Sequence, residues 1–458
     1  MKGERKIRTR FAPSPTGYLH IGNARTSLFN FLFAKHHNGS FILRIEDTDR
    51  LRSNLEFEAS ILEDLKWLGL EWNDIPYRQS ERLNIYRDFP ERLLREGKAY
   101  ECYCSEERLH ELRKKQMSAG MPPRYDGRCR TSPAISEDTA PTIRFKVSDK
   151  TIIFNDLIHK KMVFNSKIFG DFIIMGSDGV PTYNFAVVID DSLMEITHVI
   201  RGDDHLSNTP KQILLFEALG FKVPEYAHLP LILGKDATPL SKRHGQFSVA
   251  ELRKNGFIPA AILNYLCHLG WSPEKEFMSL KEAIDTFSIE KVSKSPSIFD
   301  IERLKKFNRI YIEKSSTEYL INNMGCYFDK NIPKENLENL IKEAKKEAVL
   351  LGDIPEIIQP FLEEPVFESD AKEVLTFPHT KRILNALIRE IDKVTVLNKT
   401  IYENIINNLK QKTGEKGKNL FMPIRAALTG RIEGLELEKV FFLLGREKIL
   451  ERIEKWKI

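Results

Sequence analysis

Few folds accommodate a short apolar run, a turn broken by prolines and glycine, and a His-x-Gly step in one unbroken block. Arg10-Phe-Ala-Pro-Ser-Pro-Thr-Gly-Tyr-Leu-His20-Ile-Gly22-Asn23 is such a block. Ile7 to Phe11 suits a buried strand, and Pro13, Pro15 and Gly17 end it. Leu28, Phe31, Leu32 and Lys35 then recur at helical spacing with a basic end. The order predicts a strand, a ligand-facing loop and a helix. A nucleotide phosphate suits that turn. Glycines such as Gly17 and Gly22 let the backbone come close to a ligand, and the first N–H groups of the helix are unpaired and carry the positive end of its dipole. His20 would stand at the phosphate.

The first 90 or so residues alternate strand-like runs (Ile7 to Phe11, Phe41 to Ile45) with an amphipathic helical one (Leu55 to Leu68), the pattern of a parallel sheet with crossover helices. From Tyr100 to about Pro181 short β-like pieces (Ile143 to Val147, Phe172 to Met175) separated by turn clusters suggest an insertion. The α/β texture resumes with Ile196 to Ile200 and the helical stretch Pro210 to Leu219. Beyond about residue 320 helical spacing dominates: Leu337, Leu340, Ile341, Ala344 and Ala348, then Leu437, Val440, Phe441 and Leu444. The lysine-rich stretch Lys410 to Lys418 is expected to be a loop. The 458 residues, 41% of them hydrophobic, support about three buried cores and exclude a disordered or fibrous chain. Apolar runs stay short of a membrane span and the N-terminus lacks the apolar region of a signal peptide, so a cytoplasmic place is expected. A net charge of +5 permits a polyanionic partner without naming one.

The block at 10–23 resembles the extended His-Ile-Gly-His signature of class I aminoacyl-tRNA synthetases in their glutamate-specific form. Leu240-Ser-Lys-Arg-His-Gly245 resembles their lysine-bearing loop, in the right order along the chain. Arg44-Ile-Glu-Asp-Thr-Asp-Arg50, Pro181-Thr-Tyr-Asn184 and Val199-Ile-Arg-Gly-Asp-Asp204 look like further blocks of the same family, and Lys416 to Gly430 resembles its helical anticodon-binding domain. The resemblance runs from about residue 7 to the C-terminus. It implies an α/β fold: a Rossmann-type parallel sheet (1–90 and 189–243) interrupted by a domain that grips the tRNA acceptor end (91–188). A stem-contact domain (244–320) and an all-α anticodon-binding domain (321–458) would follow.

The implied chemistry is attack by the α-carboxylate of L-glutamate on the α-phosphate of ATP, release of pyrophosphate, and transfer of the glutamyl group to a ribose hydroxyl of tRNA-Glu. Such displacements are helped by holding the reactants in line and stabilising charge. By resemblance His20 and Lys242 are catalytic, with Mg²⁺, and Gly17, Gly22 and Arg243 join them at ATP. Arg10 with Tyr183 would read the side-chain carboxylate, as arginine's planar fork suits. Arg201 would face the α-carboxylate; Ser14 and Glu46 the ammonium, with Ala12 beside them. Val187 departs from relatives that carry a polar residue there. Lys416, Lys418 and Arg425 would contact tRNA phosphates, giving affinity and register without sequence information. Lys291-Val-Ser-Lys-Ser295 is a closer literal match to the lysine signature, but Pro296-Ser-Ile-Phe-Asp300 after it resembles the segment downstream of the catalytic core. The block at 240 is therefore preferred, although Pro239 stands where the signature's first lysine usually does.

Five cysteines, an odd number, argue for reduced thiols or metal ligands over a disulfide framework. Cys102-Tyr-Cys104 and Tyr125-Asp-Gly-Arg-Cys129 could together ligate a structural Zn²⁺; the alternative is ordinary strand and loop cysteines. Some relatives place a histidine two positions beyond the last cysteine, where this chain has Thr131, and others a tyrosine four residues before it, as Tyr125 stands here. Cys267 and Cys326 read as ordinary core or surface residues. Glutaminyl enzymes read Pro-Pro-Glu-Pro-Asn-Gly where this chain has Ala12 to Gly17 and end in β-barrels. A short paralogue that modifies a tRNA base lacks the helical domain. A catalytically inactive tRNA-binding paralogue would be expected to have lost Arg10, His20, Glu46 and Lys242. A relaxed enzyme would also charge tRNA-Gln. A monomer is expected from the resemblance.

Overall fold

The structure, a computed structural model, describes residues 6–49, 51–131, 140–238, 240, 247–324 and 334–456. The chain divides into two compact units, one built from Met1–Leu252 and Ile262–Asp300, the other from Arg253–Ala261 and Ile301–Ile458.

The first unit opens with β1 (Arg8–Phe11), α1 (Ile21–His36), β2 (Ser40–Ile45), α2 (Leu55–Trp67) and β3 (Asn73–Arg78). β1, β2 and β3 form a parallel sheet in that order, with Arg8 opposite Ser40 and Phe11 opposite Leu43. Every residue of β2 after Ser40 is buried, as expected of a parallel strand covered on both faces. α1 carries no polar stripe because it is buried nearly all round, from Ile21 and Ala24 to Leu32 and Ala34. Asn54 caps α2 by accepting from the Glu56 N–H, and Glu56 and Glu58 sit in its first, positive turn.

α3 (Leu83–Arg95) leads into the insertion: β4 (Ala99–Cys102), α4 (Glu106–Ser118), α5 (Arg128–Thr131), β5 (Thr142–Phe145), β6 (Thr151–Asp156), β7 (Lys160–Asn165) and β8 (Phe172–Met175). β4, β5 and β8 make an antiparallel sheet. The hairpin β6–β7 instead joins the main sheet. After α6 (Tyr183–Leu193) come β9 (His198–Gly202), α7 (Thr209–Ala218) and β10 (Glu225–Leu229), giving the order β7-β6-β10-β9. β10 runs parallel to β9 along five residue pairs and to β6 through Tyr226 and Asp156. β9 begins at His198, two residues later than the Ile196 start expected from sequence. The two halves meet where the Thr197 N–H donates to the Arg8 carbonyl at 2.9 Å and its hydroxyl accepts from the Arg8 N–H at 2.8 Å. β1 and β9 are therefore neighbours at the point where strand order reverses, the crevice in which open α/β sheets hold ligands. Tyr86, Leu93, Phe145, Phe185, Val188, Ile189 and Phe216 share one core beneath it; each such side chain contributes roughly 1.5–3 kcal/mol by leaving water.

β11 (Ile232–Leu233) pairs in parallel with β12 (Ser297–Ile298). Between them lie α8 (Val249–Lys254) and α9 (Pro259–Cys267), in which the chain passes to the second unit and back, and α10 (Leu280–Thr286), closed by a Ser279–Glu282 capping box. The second unit is helical: α11 (Ile301–Lys314), α12 (Thr317–Asn323), α13 (Lys334–Ala344), α14 (Asp353–Leu362), α15 (Ser369–Leu375), α16 (Pro378–Ile391), α17 (Lys399–Thr413), α18 (Lys418–Thr429) and α19 (Leu437–Glu454). The helical run starts at Ile301, earlier than residue 320. Leu337, Leu340, Ile341, Ala344 and Ala348 are all buried, as are Leu437, Val440, Phe441 and Leu444. The lysine-rich stretch is a loop only in its middle: Lys410 to Thr413 end α17, Gly414 at φ 72° stops it, and Lys418 begins α18. The residues before Gly414 keep helical spacing, which outweighs their charge.

Candidate active site

Pro13, Pro15 and Gly17 carry the chain from the end of β1 to the start of α1, and the loop is pinned from outside. The Pro13 carbonyl accepts from the Glu46 N–H at 2.9 Å and the Pro15 carbonyl from the Asn54 N–H at 3.0 Å. Ala12, Gly17 and Gly22 are half-buried along it and Ser14 is exposed. His20 is the N-cap of α1: its Nδ1 accepts from the Gly22 N–H at 3.2 Å. That bond fixes the tautomer, because a nitrogen that accepts carries no proton, so the proton is on Nε2. Burial lowers the imidazole pKa and keeps the ring neutral. Nε2 is buried with no hydrogen-bond partner among the described residues. A neutral N–H donor thus stands at a helix N-terminus, the geometry that receives a phosphate oxygen.

The sheet also buries a cluster of charges. Arg10 on β1 donates from Nε to Asp191 Oδ1 at 3.1 Å, and Arg44 on β2 reaches the same oxygen from Nη1 at 2.6 Å and Glu46 Oε1 from Nη2 at 2.9 Å. Arg10, Arg44, Glu46 and Asp191 are each less than one-tenth exposed. Burial pushes the Asp191 carboxyl up, but Arg10 and Arg44 outweigh it and hold the pKa below the ordinary value. For Glu46 burial outweighs Arg44 and the pKa is raised. Asp190, next to Asp191 on α6, is satisfied by Gln79, Arg82 and Tyr86, each at 2.8 Å. Three arginines and three carboxylates thus lie together with little solvent, where charge–charge interaction is strong.

Tyr183, first residue of α6, places its hydroxyl 3.1 Å from His205 Nδ1, and burial pushes its pKa up to about 12. Arg201 on β9 donates from Nη2 to Thr209 Oγ1 at 2.7 Å and from Nε to His228 Nε2 at 3.2 Å. Its Nη1 is buried and unpartnered among the described residues. Arg10, Glu46, Tyr183 and Arg201 therefore come together at the ends of β1, β2 and β9. Val187, buried in α6, offers no polar group. Lys242 and Arg243, with Pro239, lie outside the described residues. Lys294 is exposed in a segment held by the Ser293 N–H to the Gly270 carbonyl at 2.7 Å. Sequence reasoning missed Asp190, Asp191, His205, His228 and Asp156. The adjacent aspartates in the apolar run Val187-Val-Ile-Asp-Asp191 were a usable signal, since carboxylates are seldom buried without cations; for Asp156 the sequence carries none.

The three thiols converge. Cys102 ends β4, Cys129 lies on α5, and the sulfurs of Cys102, Cys104 and Cys129 lie within 4.8 Å of one another, with Cys104 and Cys129 at 3.5 Å. The Tyr125 oxygen stands 3.5 Å from Cys102 Sγ and 3.4 Å from Cys104 Sγ, and accepts from the Cys129 N–H at 2.9 Å. The Arg144 guanidinium lies 3.9 Å over the Tyr125 ring. Cys267 is buried apart from them, and burial pushes its pKa up to about 12. In the helical unit Lys416 and Lys418 are exposed. Arg425 is half-buried and donates to the Leu435 carbonyl, which commits part of its guanidinium to the fold.

Residues 6–306 match the tRNA synthetases class I (E and Q) catalytic domain, and residues 302–457 match an anticodon binding domain. The chain is 46% identical to a glutamate–tRNA ligase of a Sulfurihydrogenibium species over 98% of both chains, and 42% identical to that of Aquifex aeolicus, again over 98% of each. Among solved structures it is similar to a glutamate tRNA ligase from Elizabethkingia meningosepticum crystallised with its amino acid, with a TM-score of 0.87 and 34% identity over 99% of both chains. No helix among the described residues is long and apolar enough to cross a membrane.

Proposed function

This chain belongs to the class I tRNA synthetases for glutamate and glutamine, and from that membership we infer that it is an ATP-dependent glutamate–tRNA ligase. The glutamate α-carboxylate attacks the α-phosphorus of ATP, the bond to the β-phosphate breaks and pyrophosphate leaves. A hydroxyl of the terminal tRNA ribose then attacks the activated carbonyl, losing its proton as AMP departs. The reading is supported by a buried, unpartnered Nε2 on a neutral His20 at the start of α1, together with two buried arginines, Arg10 on β1 and Arg201 on β9, suited to two carboxylates.

Each residue has a distinct task in this reading. His20 Nε2–H donates to a phosphate oxygen, and Gly17 and Gly22 keep the backbone open beside it. Arg10, held by Asp191, and the Tyr183 hydroxyl take the substrate's side-chain carboxylate, while Arg201 Nη1 takes its α-carboxylate. Glu46 and Ser14 face the ammonium, with Ala12 lining the same loop. Lys242 and Arg243 add positive charge to the phosphates, and Mg²⁺ would neutralise phosphate charge when bound. The inserted domain holds the acceptor end. The helical domain takes the anticodon, with Lys416, Lys418 and the free part of Arg425 at phosphates. The thiol cluster suits Zn²⁺: three sulfurs and a phenol oxygen at these separations fit tetrahedral coordination with Zn–S near ~2.3 Å. Bound there, zinc would tie β4 to α5 without entering the reaction.

The test is glutamate attachment to tRNA-Glu and tRNA-Gln side by side with ATP and Mg²⁺. Charging of tRNA-Glu is expected, charging of tRNA-Gln as well would mean a relaxed enzyme, and charging of neither would overturn the reading. K242A should abolish adenylate formation and K294A should not; equal losses would move the lysine site. Metal analysis after chelator-free purification should find about one zinc per chain, lost in C129S.

A further inference from the structure

The insertion does more than reach toward tRNA, because its hairpin ends inside the amino-acid site. β6 terminates at Asp156, beside β10, with the Leu157 N–H on the Tyr226 carbonyl at 2.8 Å. The Asp156 carboxylate is fully buried and accepts from the N–H groups of Ile158 at 2.9 Å, His159 at 2.8 Å and His228 at 3.1 Å. Its Oδ2 also lies 2.7 Å from His228 Nδ1. A carboxylate so placed takes the imidazole proton onto Nδ1 and leaves a lone pair on Nε2. That lone pair meets two donors: Arg201 Nε at 3.2 Å and the Thr209 hydroxyl at 2.9 Å. Thr209 Oγ1 accepts from Arg201 Nη2 at 2.7 Å, so its own proton is directed at His228. Two of the three guanidinium nitrogens are thereby fixed and only Nη1 is left for a ligand.

We propose that Asp156 and His228 are positioning residues for glutamate recognition: together with Thr209 they hold the Arg201 guanidinium so that Nη1 presents to the substrate α-carboxylate. The proposal rests on the reading of Arg201 given above. Asp156 reaches the site only because the inserted hairpin pairs with β10, so the acceptor-binding insertion sets the aim of a substrate-binding arginine. Removal of the acceptor on His228, or of the carboxylate that fixes its tautomer, frees the guanidinium to turn. In D156N the ring can place its proton on Nε2, which then opposes the Arg201 N–H.

The test is steady-state aminoacylation by the full chain with tRNA-Glu, ATP and Mg²⁺, comparing R201Q, H228L, H228Q and D156N. H228L and D156N should raise the KM for glutamate on the order of tenfold to a hundredfold, while the KM for ATP and for tRNA stays within about twofold. H228Q, which keeps an oxygen acceptor toward Arg201, should recover part of the loss, and it serves where H228L does not fold. A glutamate KM unchanged in H228L and D156N while R201Q raises it would overturn the proposal. So would equal rises for all three substrates, or H228Q no better than H228L. An unchanged glutamate KM in R201Q would instead overturn the assignment of Arg201 itself.

Discussion

His20 caps α1 through one ring nitrogen and is proposed to meet phosphate through the other, and the two roles separate experimentally. Nδ1 closes the first turn of α1, and Nε2 is buried and unpartnered among the described residues, the atom proposed above to meet a phosphate oxygen. Asparagine is a good N-cap but has nothing at the Nε2 position. H20N is therefore expected to melt close to the parent while losing about a hundredfold or more in glutamate-dependent pyrophosphate exchange; a matched loss of stability would make the cap the main role. Asp191 is the converse case, a residue whose first effect is on the fold. It accepts from Arg10 and Arg44 in a site closed to water. D191N leaves both guanidinium groups short of a charge partner, and breaking such a buried pair costs about 3–5 kcal/mol. Urea unfolding should show that loss, together with a raised KM for glutamate as Arg10 is freed. Sequence legibility at this scale depended on company. Arg10, His20 and Glu46 stand in dense local blocks, whereas Asp156 and His228 acquire meaning only through a partner 72 residues away.

Among the elements, helix ends were fixed where a backbone conformation requires one residue type. Gly430 ends α18 at φ 73°, its N–H on the Ala426 carbonyl, and a Cβ placed there would lie 2.4 Å from the Val366 carbonyl oxygen. Left-handed backbone and a close carbonyl both exclude a side chain. G430A should cost more than about 1 kcal/mol in denaturant unfolding. A neutral result would mean that the chain at Val366 yields freely. β1, β2, β5, β8 and β9 were legible as apolar runs, but β3, β4, β6, β7 and β10 were not, nor were the partners: the β6–β7 hairpin lies within the inserted stretch of sequence and pairs with β10. Pairing in a parallel sheet is non-local, and a run of apolar residues does not say which strand it lies against. The same limit applies to the charged stretch at Lys410, where helical spacing decided the structure and composition suggested a loop.

For the whole molecule, buried imidazoles set the response to acid. His228 has its pKa lowered by burial to about 4, from an ordinary value near ~6.5, and His20, His198 and His205 shift the same way, each chiefly through burial. With a folded pKa below the unfolded one, the unfolded chain binds more protons between those values. The stability is complete above about pH 6.5 and is lost as pH falls toward 4. His228 alone accounts for on the order of 3 kcal/mol across that window. Glu46, with its pKa raised, works in the opposite sense and gives up stability as pH rises. Unfolding free energies measured from pH 7 to pH 4 should therefore fall, and H228Q should flatten the slope; a parallel slope in H228Q would assign the effect elsewhere. The sequence by itself determined the family, the order of α/β, inserted and helical segments, and the residues proposed to meet phosphate and carboxylates, because these lie in contiguous blocks whose local spacing is their signal. The tertiary structure alone decided that β1 and β9 are neighbours, that Asp190 and Asp191 anchor the arginine cluster, that three cysteines and Tyr125 converge, and that Asp156 backs Arg201. Those are contacts between distant parts of the chain, and burial makes each depend on which opposite charge or hydrogen-bond partner the fold delivers.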